Sequence, residues 1–151
     1  MTYEYHSNID EATMKGIESE LTLDLTQNHH ITATLAYMEA KNDETDERLE
    51  RSPKWLGSIA YTYDRSFDLF RFYTTLRGRG QDDIYIGEYS VDAPREVSGF
   101  FVCDLSLGLD IGKHVSLFAN GTNLFDTDYR EFTYTRYQPG RVFLVGCEFK
   151  I

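Results

Sequence analysis

Apolar and polar side chains alternate along almost the whole of this chain, from residue 13 to residue 151. In the first long segment, Ile17, Leu21 and Leu23 fall on one side, and Glu18 and Glu20 fall on the other. A repeat of two is the repeat of a β-strand, in which successive side chains point to opposite faces of a sheet. The pattern recurs at residues 31–38, 55–63, 69–77, 101–111, 115–122 and 143–151. The sequence therefore predicts an all-β fold, an antiparallel meander of seven strands with a candidate eighth at residues 2–7.

The connections between these segments alternate in length. Three links are short, and they lie at residues 27–30, 64–68 and 111–114. Three others are long and polar, and they lie at residues 41–52, 78–98 and 126–138. Short turns at one end of a sheet and long loops at the other are typical of transmembrane β-barrels. The segments reach roughly 10–13 residues, close to the ~9–11 with which a tilted strand crosses a bilayer.

Alternation alone does not say which way the apolar face points. An inward apolar face would make a soluble, lipocalin-like binding barrel. An outward one would meet lipid, with the polar face lining a wet lumen. Aromatic residues near the strand ends favour lipid, because aromatic girdles lie at both membrane interfaces; they are Tyr61, Tyr63, Phe100, Phe101 and Phe125. The membrane barrel is favoured, and the soluble barrel stays open at this point.

The charge and the motif content exclude several functions. With 25 acidic and 15 basic residues the formal net charge is −10, which argues against nucleic-acid binding, because that needs a basic surface. No catalytic or phosphate-binding motif and no metal-ligand spacing is found. The sequence therefore predicts no catalytic residue, no metal site and no cofactor, in a protein that is not an enzyme.

The first 16 residues lack the basic stretch and apolar core of a signal peptide. A chain meant for export should carry one. We therefore expect either a cytoplasmic protein or a segment whose upstream part is missing, and the barrel-like pattern favours the second.

The candidate ligand contacts lie in the fourth segment and in the loop that follows it: Arg71, Tyr73, Arg77, Arg79, Tyr85 and Tyr89. The three arginines share the polar face of one predicted strand, where with Tyr73 they could form a basic path for an anionic chelate. The alternative is structural, because charges that line a barrel pair across strands. The predicted acid partners are then Glu18, Glu20, Asp24, Asp104 and Glu148. The acidic run at residues 42–47 lacks the spacing of a calcium loop and is interpreted as solvated.

The last third of the chain carries a resemblance to a known family. Asn123, Leu124, Phe125 and Asp126 stand in a row, followed by Tyr129, by Pro139, Gly140 and Arg141, and by an alternating strand. This order resembles the last hairpin of a TonB-dependent outer-membrane receptor. Residues 15–18 and 51–54 are similar to earlier strand openings of that family, so that the resemblance covers nearly the whole chain. The sequence departs from the family at Ile151, where an aromatic residue is usual.

The resemblance implies that residues 1–151 are the C-terminal segment of a transmembrane β-barrel in the outer membrane of a Gram-negative bacterium. It implies import of a metal chelate, such as a ferric siderophore or a cobalamin, energised by TonB. The implied partners are outer-membrane lipid, the chelate, the barrel-assembly machinery, and the TonB complex, which would act through an N-terminal plug that this chain lacks. The motif residues would close the barrel and order a loop. A passive porin or adhesin-type barrel is the alternative in the membrane, and the lipocalin-like binder is the alternative outside it.

Overall fold

Seven of the nine strands found among the described residues form one antiparallel sheet. The computed structural model describes residues 11–44, 46, 48–49, 52–85, 96–131 and 136–150. The strands of the sheet are β1 (Ala12–Thr26), β2 (His29–Asn42), β3 (Trp55–Ser66), β4 (Phe70–Gln81), β7 (Phe100–Ile111), β8 (Val115–Thr122) and β9 (Val142–Phe149). They are hydrogen-bonded in the order β1-β2-β3-β4-β7-β8-β9. The predicted all-β meander is confirmed, and the candidate strand at residues 2–7 lies outside the described residues.

The register keeps like residues on the same side of the sheet. Leu21 stands opposite Ala33, which stands opposite Ile59, and on the other side of the sheet Glu20 stands opposite Thr34. We call the first side the apolar face; it includes Ile17, Leu35, Ile59, Leu76, Leu105, Leu117 and Val145. We call the second side the polar face; it includes Glu20, Thr34, Ser58, Arg79, Asp104, Asn120 and Glu148.

The sheet is a single layer, and its apolar face is not covered by protein. Ile17, Val145 and Phe149 are each more than 70 % exposed (73 %, 76 % and 72 %). A water-soluble domain buries such side chains, since ~25 cal/mol is gained for each Å² of apolar surface removed from water. Among the described residues, few hydrophobic side chains are buried, and that set includes Val102 on the polar face and Tyr129 in the connection after β8.

Long and short connections lie at opposite ends of the strands. We call one of these ends the turn end; its links are residues 27–28, 67–69 and 112–114. Gly112 has a φ of 57°, a conformation that glycine adopts without steric cost and that the tight link between β7 and β8 requires. We call the opposite end the loop end; its links are residues 43–54, 82–99 and 123–141. The predicted alternation of turns and loops is confirmed.

The connection after β4 differs from the prediction. β4 continues to Gln81. The alternating pattern ends near residue 77 because Gly78 and Gly80 carry no side chain that could show which face they lie on. The loop itself contains two short paired strands, β5 (Ile84–Tyr85) and β6 (Glu96–Val97). Ile84 and Val97 are buried against each other, so that part of this loop has a small core of its own.

The two outer strands of the sheet each have a partner on one side only within the described residues. β1 pairs with β2, and β9 pairs with β8. An unpaired strand edge exposes a row of backbone donors and acceptors, which a barrel satisfies by closing on itself. These seven strands are therefore an open wall and not a closed barrel.

Candidate functional site

The connection after β8 is organised by Asn123, which is 3 % exposed. Its Oδ1 accepts a hydrogen bond from the backbone N–H of Thr127 (2.9 Å), and its Nδ2 donates to the carbonyl oxygens of Thr127 (2.9 Å) and Pro139 (3.3 Å). Its backbone N–H donates to the Asp104 carboxylate at 2.8 Å. The φ of Asn123 is 49°, in the left-handed region that asparagine tolerates better than most residues. One side chain thus connects the turn to the segment that leads into β9.

Asp126 makes the second link across this connection. Its Oδ1 accepts a hydrogen bond from the backbone N–H of Arg141 at 2.7 Å, and its φ is 56°. A Cβ at Gly140 would lie 2.7 Å from the same oxygen, so the close approach of the carboxylate depends on glycine. The guanidinium of Arg141 lies 3.8 Å from the Asp126 carboxylate and 3.5 Å from the Leu124 carbonyl oxygen. Asn123, Asp126 and Arg141 thus hold the two arms of the loop together.

The two apolar residues of the motif lie on the apolar face. The backbone N–H of Leu124 donates to the Cys103 carbonyl oxygen (2.8 Å), and its side chain packs where a Cβ of Gly121 would be. Phe125 is 67 % exposed and stacks on Phe101 with ring centroids 6.5 Å apart. The motif therefore marks the rim of the sheet, with polar contacts on one side and an apolar cover on the other.

Residues 127–131 fold back over the polar face and are anchored there by Arg79. Its Nη1 donates to Glu131 Oε1 at 2.6 Å, and its Nη2 donates to Tyr129 Oη at 2.9 Å. Gln81 Nε2 donates to the Glu131 carbonyl oxygen at 3.2 Å. The ring of Tyr129 lies 4.5 Å from that of Phe100, and Tyr129 is 8 % exposed. We call these five residues the loop anchor. A charge-assisted pair that is partly shielded from water is stronger than an exposed one.

Arg71 occupies the turn end of the same strand. Its Nε donates to Asp64 Oδ1 at 2.8 Å, its Nη2 donates to Asp64 Oδ2, and its Nη1 lies 3.9 Å from Asp110. The guanidinium also lies 5.3 Å from the ring centre of Tyr73. With both acids engaged beside it, Arg71 is committed to the scaffold at this end.

Arg77 lies between the two other arginines, and its environment differs from theirs. It faces Asp104 in the register, but that carboxylate accepts the hydrogen bond from Asn123. Within the described part of the chain, the exposed Arg77 guanidinium has neither a hydrogen bond nor an ion pair. Tyr73 lies two positions toward the turn end on the same face, beyond Thr75, and lays its ring over Gly108. Of the three arginines, Arg77 is therefore the one whose guanidinium has no ion pair in the described part of the chain.

The predicted pairing with five particular acids is wrong for Arg71 and Arg79, whereas Arg77 stands opposite one of those acids, Asp104, without an ion pair. The observed partners are Asp64, Asp110 and Glu131. Of the predicted acids, Asp24 contacts His30 at 2.6 Å and Glu148 lies 3.7 Å from Lys150. The physical reason is reach, because closer acids on neighbouring strands and on the folded loop take the guanidinium groups first. Glu131 has no sequence signal that would have revealed its role, since it stands 52 residues after Arg79.

The remaining candidates lie in the loops. Tyr85 is half-buried in β5 and pairs in register with Glu96, whereas Tyr89 lies outside the described residues. The acidic run is described in part, and there Lys41 Nζ donates to Asp46 at 3.2 Å. Among the residues that the structure describes, no group of His, Cys, Asp or Glu is arranged to hold a metal ion.

The apolar face carries aromatic rings toward both of its ends. At the loop end, Tyr37 packs on Trp55 with ring centroids 4.6 Å apart. At the turn end, Tyr63 packs on His29 (4.7 Å) and on Phe72 (6.1 Å). Trp55 and Tyr63 are ~27 Å apart along β3 at a rise of ~3.4 Å per residue, the scale of the ~25 Å apolar band of a membrane barrel. The prediction is wrong for Phe100, which lies on the polar face in the loop anchor.

No helix among the described residues is long and apolar enough to cross a membrane. Long strands, an uncovered apolar face with aromatic ends, and a polar face with a folded loop define the wall of a membrane β-barrel receptor. The family model described as "TonB dependent receptor-like, beta-barrel" matches residues 2–124. The chain belongs to this family of outer-membrane transport receptors, whose members are not enzymes.

Solved structures with the same fold support this assignment. The open form of the ferric-catecholate import receptor Fiu from E. coli K12 is 20 % identical, with a TM-score of 0.74 over 91 % of this chain and 21 % of its own. BauA, the ferric preacinetobactin receptor from Acinetobacter baumannii, is 14 % identical, with a TM-score of 0.75 over 91 % and 22 %. The copper transporter OprC is 24 % identical, with a TM-score of 0.68 over 91 % and 24 %. The chain thus spans between a fifth and a quarter of the length of these proteins.

Proposed function

We propose that residues 1–151 form the C-terminal part of the barrel of an outer-membrane receptor that imports a metal chelate. In this proposal β1 and β9 pair with strands outside these residues, and the apolar face meets outer-membrane lipid. The parent protein binds a ferric siderophore or a cobalamin outside a Gram-negative cell and imports it with energy from the TonB complex, through a plug N-terminal to this chain. The barrel-assembly machinery would insert it.

The observation that carries the proposal is the unpaired guanidinium of Arg77 on the polar face. Ferric chelates are commonly anionic, and guanidinium groups bind anionic oxygens through charge-assisted hydrogen bonds. Arg71 and Arg79 are held by Asp64 and by the loop anchor, so that Arg77 is the member of the three that is ready to accept a ligand.

The family and the solved relatives support transport, but their cargoes differ. Fiu and BauA are described as receptors for ferric chelates, and OprC as a copper transporter. A polar face with a free cation favours an anionic chelate over a bare metal ion, which would need several oxygen, nitrogen or sulfur ligands. For this reason we place the chelate first.

An uptake assay tests the proposal. The complete receptor is expressed in cells that lack other siderophore and cobalamin receptors, with and without TonB, and radiolabelled ferric catecholate, ferric hydroxamate and cobalamin are supplied. We expect TonB-dependent uptake of at least one of them, and a reduction of roughly tenfold in its binding by Arg77→Ala, the scale of a lost hydrogen bond to a charged group. Thr75→Ala, two residues away on the same face, is the matched control and should bind normally.

If small solutes enter both strains, whether or not TonB is present, the protein is a passive porin and the proposed receptor function is wrong. A cell-surface protein that moves no solute in either strain would favour the adhesin-type barrel.

A further inference from the structure

Three large apolar side chains lie on the polar face, near the loop end of β1, β2 and β3. Met14 and Leu56 are 63 % and 50 % exposed there, and Met38 lies between them on β2. Further along the same face, the same strands carry polar residues such as Glu20 and Thr34. Exposed apolar side chains that form a patch within a polar surface mark a binding surface.

The three side chains surround a recess of about 370 Å³. Two small residues of the polar face, Gly16 on β1 and Ala36 on β2, form its floor. The atoms nearest to a Cβ at Gly16 would be backbone atoms of Tyr37 and Met38. The floor therefore consists of strand backbone and one methyl group, and the walls are the longer side chains.

Two other glycines of the polar face are covered by aromatic rings. The ring of Tyr73 comes within 2.1 Å of the place where a Cβ of Gly108 would be, and the ring of Phe118 comes within 2.3 Å of that place at Gly146. These rings take up the space that each missing side chain leaves. Gly16 differs from both, since its nearest neighbours belong to the backbone, and the space above it is part of the recess.

The recess is elongated. Met14 and Leu56 are four positions and two strands apart in the register, which is roughly 17 Å at ~3.4 Å per residue and ~4.8 Å per strand. Its volume is more than twice the ~150 Å³ of a cavity that holds one benzene ring. Methionine side chains are flexible and adapt to an irregular occupant. The shape therefore fits an extended chain better than a single ring.

The charges around the recess indicate an uncharged occupant. Glu18 and Lys54 both line it, and neither has an ion pair among the residues that the structure describes. One acid and one base give the rim no net charge. A charged group placed between the apolar walls would lose its water without gaining a partner, which is costly. An aliphatic chain has no such cost.

The recess lies within reach of Arg77, the cation that the proposed function assigns to the chelate. Ala60 stands opposite Arg77 and is four positions from Leu56 on β3, about 14 Å at ~3.4 Å per residue. On the other side of Leu56 stands Gln81 of the loop anchor. A ligand held by Arg77 can therefore extend along β3, beside the loop anchor, to the recess.

We propose that the recess holds an aliphatic chain carried by the chelate whose anionic group binds Arg77. The inference rests on the proposed function and narrows its substrate to an amphiphilic anionic chelate. Its apolar chain contacts Met14, Met38 and Leu56, and its charged part stays over the polar residues of the face.

A matched pair of probes tests the proposal, a ferric tris-catecholate that carries either an acetyl or an octanoyl amide. The same pair is prepared on a ferric hydroxamate that bears a free carboxylate. Binding of each radiolabelled probe is measured on cells that make the complete receptor, and cells without the receptor correct for partition of the octanoyl chain into the membrane. With at least one of the two head groups, we expect the octanoyl form to bind about tenfold more tightly than the acetyl form. Complete burial of the longer chain would give a larger ratio, but the walls at Met14 and Leu56 are themselves exposed.

Variants separate the recess from the cation. Ala36→Met fills the floor and should bring the octanoyl-to-acetyl ratio of affinities to about one. Met38→Gln keeps the length of a wall side chain but makes it polar, and it should lower the ratio too. Ser106→Met adds a methionine at an exposed position of the polar face on β7 and is the matched control that should keep the tenfold ratio. Arg77→Ala should weaken both forms alike and leave the ratio unchanged, because the cation and the recess contact different parts of the chelate.

The failure of this inference and the failure of the proposed function are distinguishable. A ratio of one in the original receptor, with both head groups, would overturn the inference, because another part of the receptor would then fill the recess. A tenfold ratio that survives both Ala36→Met and Met38→Gln would overturn it as well. In either case TonB-dependent uptake of a labelled cargo would leave the receptor function standing. The absence of uptake of every cargo would remove both.

Discussion

The two ends of the sheet hold their polar groups in different ways. At the turn end, Arg71 finds Asp64 only seven residues away, on the adjacent strand of the same hairpin. At the loop end, Arg79 is held by Glu131 and Tyr129, which are 52 and 50 residues away. The turn end is thus built from local hairpin contacts, whereas the loop end depends on a connection that folds back over the polar face. Contacts between distant residues can open without unfolding the strands, so the loop end is where we expect local opening first.

Among the variants that test this difference between the two ends, Asn123→Ala is expected to lower the free energy of unfolding most. The change removes three side-chain hydrogen bonds made by a buried residue, to the Thr127 amide and to the Thr127 and Pro139 carbonyl oxygens. It also places alanine at a positive φ. We expect a loss of about 3 kcal/mol in the free energy of unfolding, since each hydrogen bond contributes about 0.5–1.5 kcal/mol.

Urea unfolding in detergent micelles, followed by tyrosine and tryptophan fluorescence, measures the loss. Asn120→Ala, on the polar face of β8, is the matched control and should change the unfolding midpoint little. Equal midpoints for the two variants would show that the loop end does not depend on Asn123.

A smaller effect is expected from Arg79→Ala, which removes the cation of the loop anchor. Glu131 and Tyr129 lose their shared donor, and residues 127–131 should detach from the polar face while the strands remain paired. The expected cost is about 1 kcal/mol, because the pair is only partly shielded from water. Hydrogen exchange should show faster exchange of the Gln138 amide, which donates to the Tyr129 carbonyl oxygen.

The turn end supplies the control for that measurement. The amide of Gly112, bonded to the Leu69 carbonyl oxygen, should exchange at its original rate in Arg79→Ala. Faster exchange at both ends would mean global destabilisation and would contradict separate behaviour of the two ends.

Arg71→Ala should perturb the molecule less than Arg79→Ala. The Arg71 and Asp64 side chains are 49 % and 34 % exposed, and exposed pairs contribute little and are screened by salt. We expect a small shift of the urea midpoint that shrinks further at high ionic strength. A shift larger than that of Arg79→Ala would reverse the ranking of the two ends.

The smallest effect on stability is expected from Arg77→Ala, because that guanidinium has no partner among the described residues. The free energy of unfolding should stay within about 0.5 kcal/mol, as for other surface substitutions. Chelate binding should nevertheless fall, which separates a ligand contact from a structural one. Arg77→Lys keeps the charge without the planar fork and should recover part of the binding. A marked loss of stability in Arg77→Ala would indicate a structural partner and weaken the proposed function.

The sequence by itself determined the strands, their order and the two faces of the sheet. A repeat of two fixes the face on which each side chain lies, and short links force neighbouring strands to pair as hairpins. Leu21 and Ala33 lie side by side because both conditions hold for β1 and β2. Ala33 and Ile59 lie side by side although the long link 43–54 joins their strands. The end of β4 was misplaced at Gly78 and Gly80, where no side chain carries the pattern, and β2 and β3 run further than predicted, to Asn42 and Ser66.

Only the tertiary structure decided which charges are satisfied and which remain available. Arg71, Arg77 and Arg79 are equivalent in the sequence pattern, since all three lie on the same face of one strand. They become different because Asp64 lies beside the first and the folded loop brings Glu131 to the third, whereas the second makes no ion pair with Asp104, which it faces. Side-chain pairing depends on distances between groups far apart in the chain, and a strand repeat contains no information about those distances.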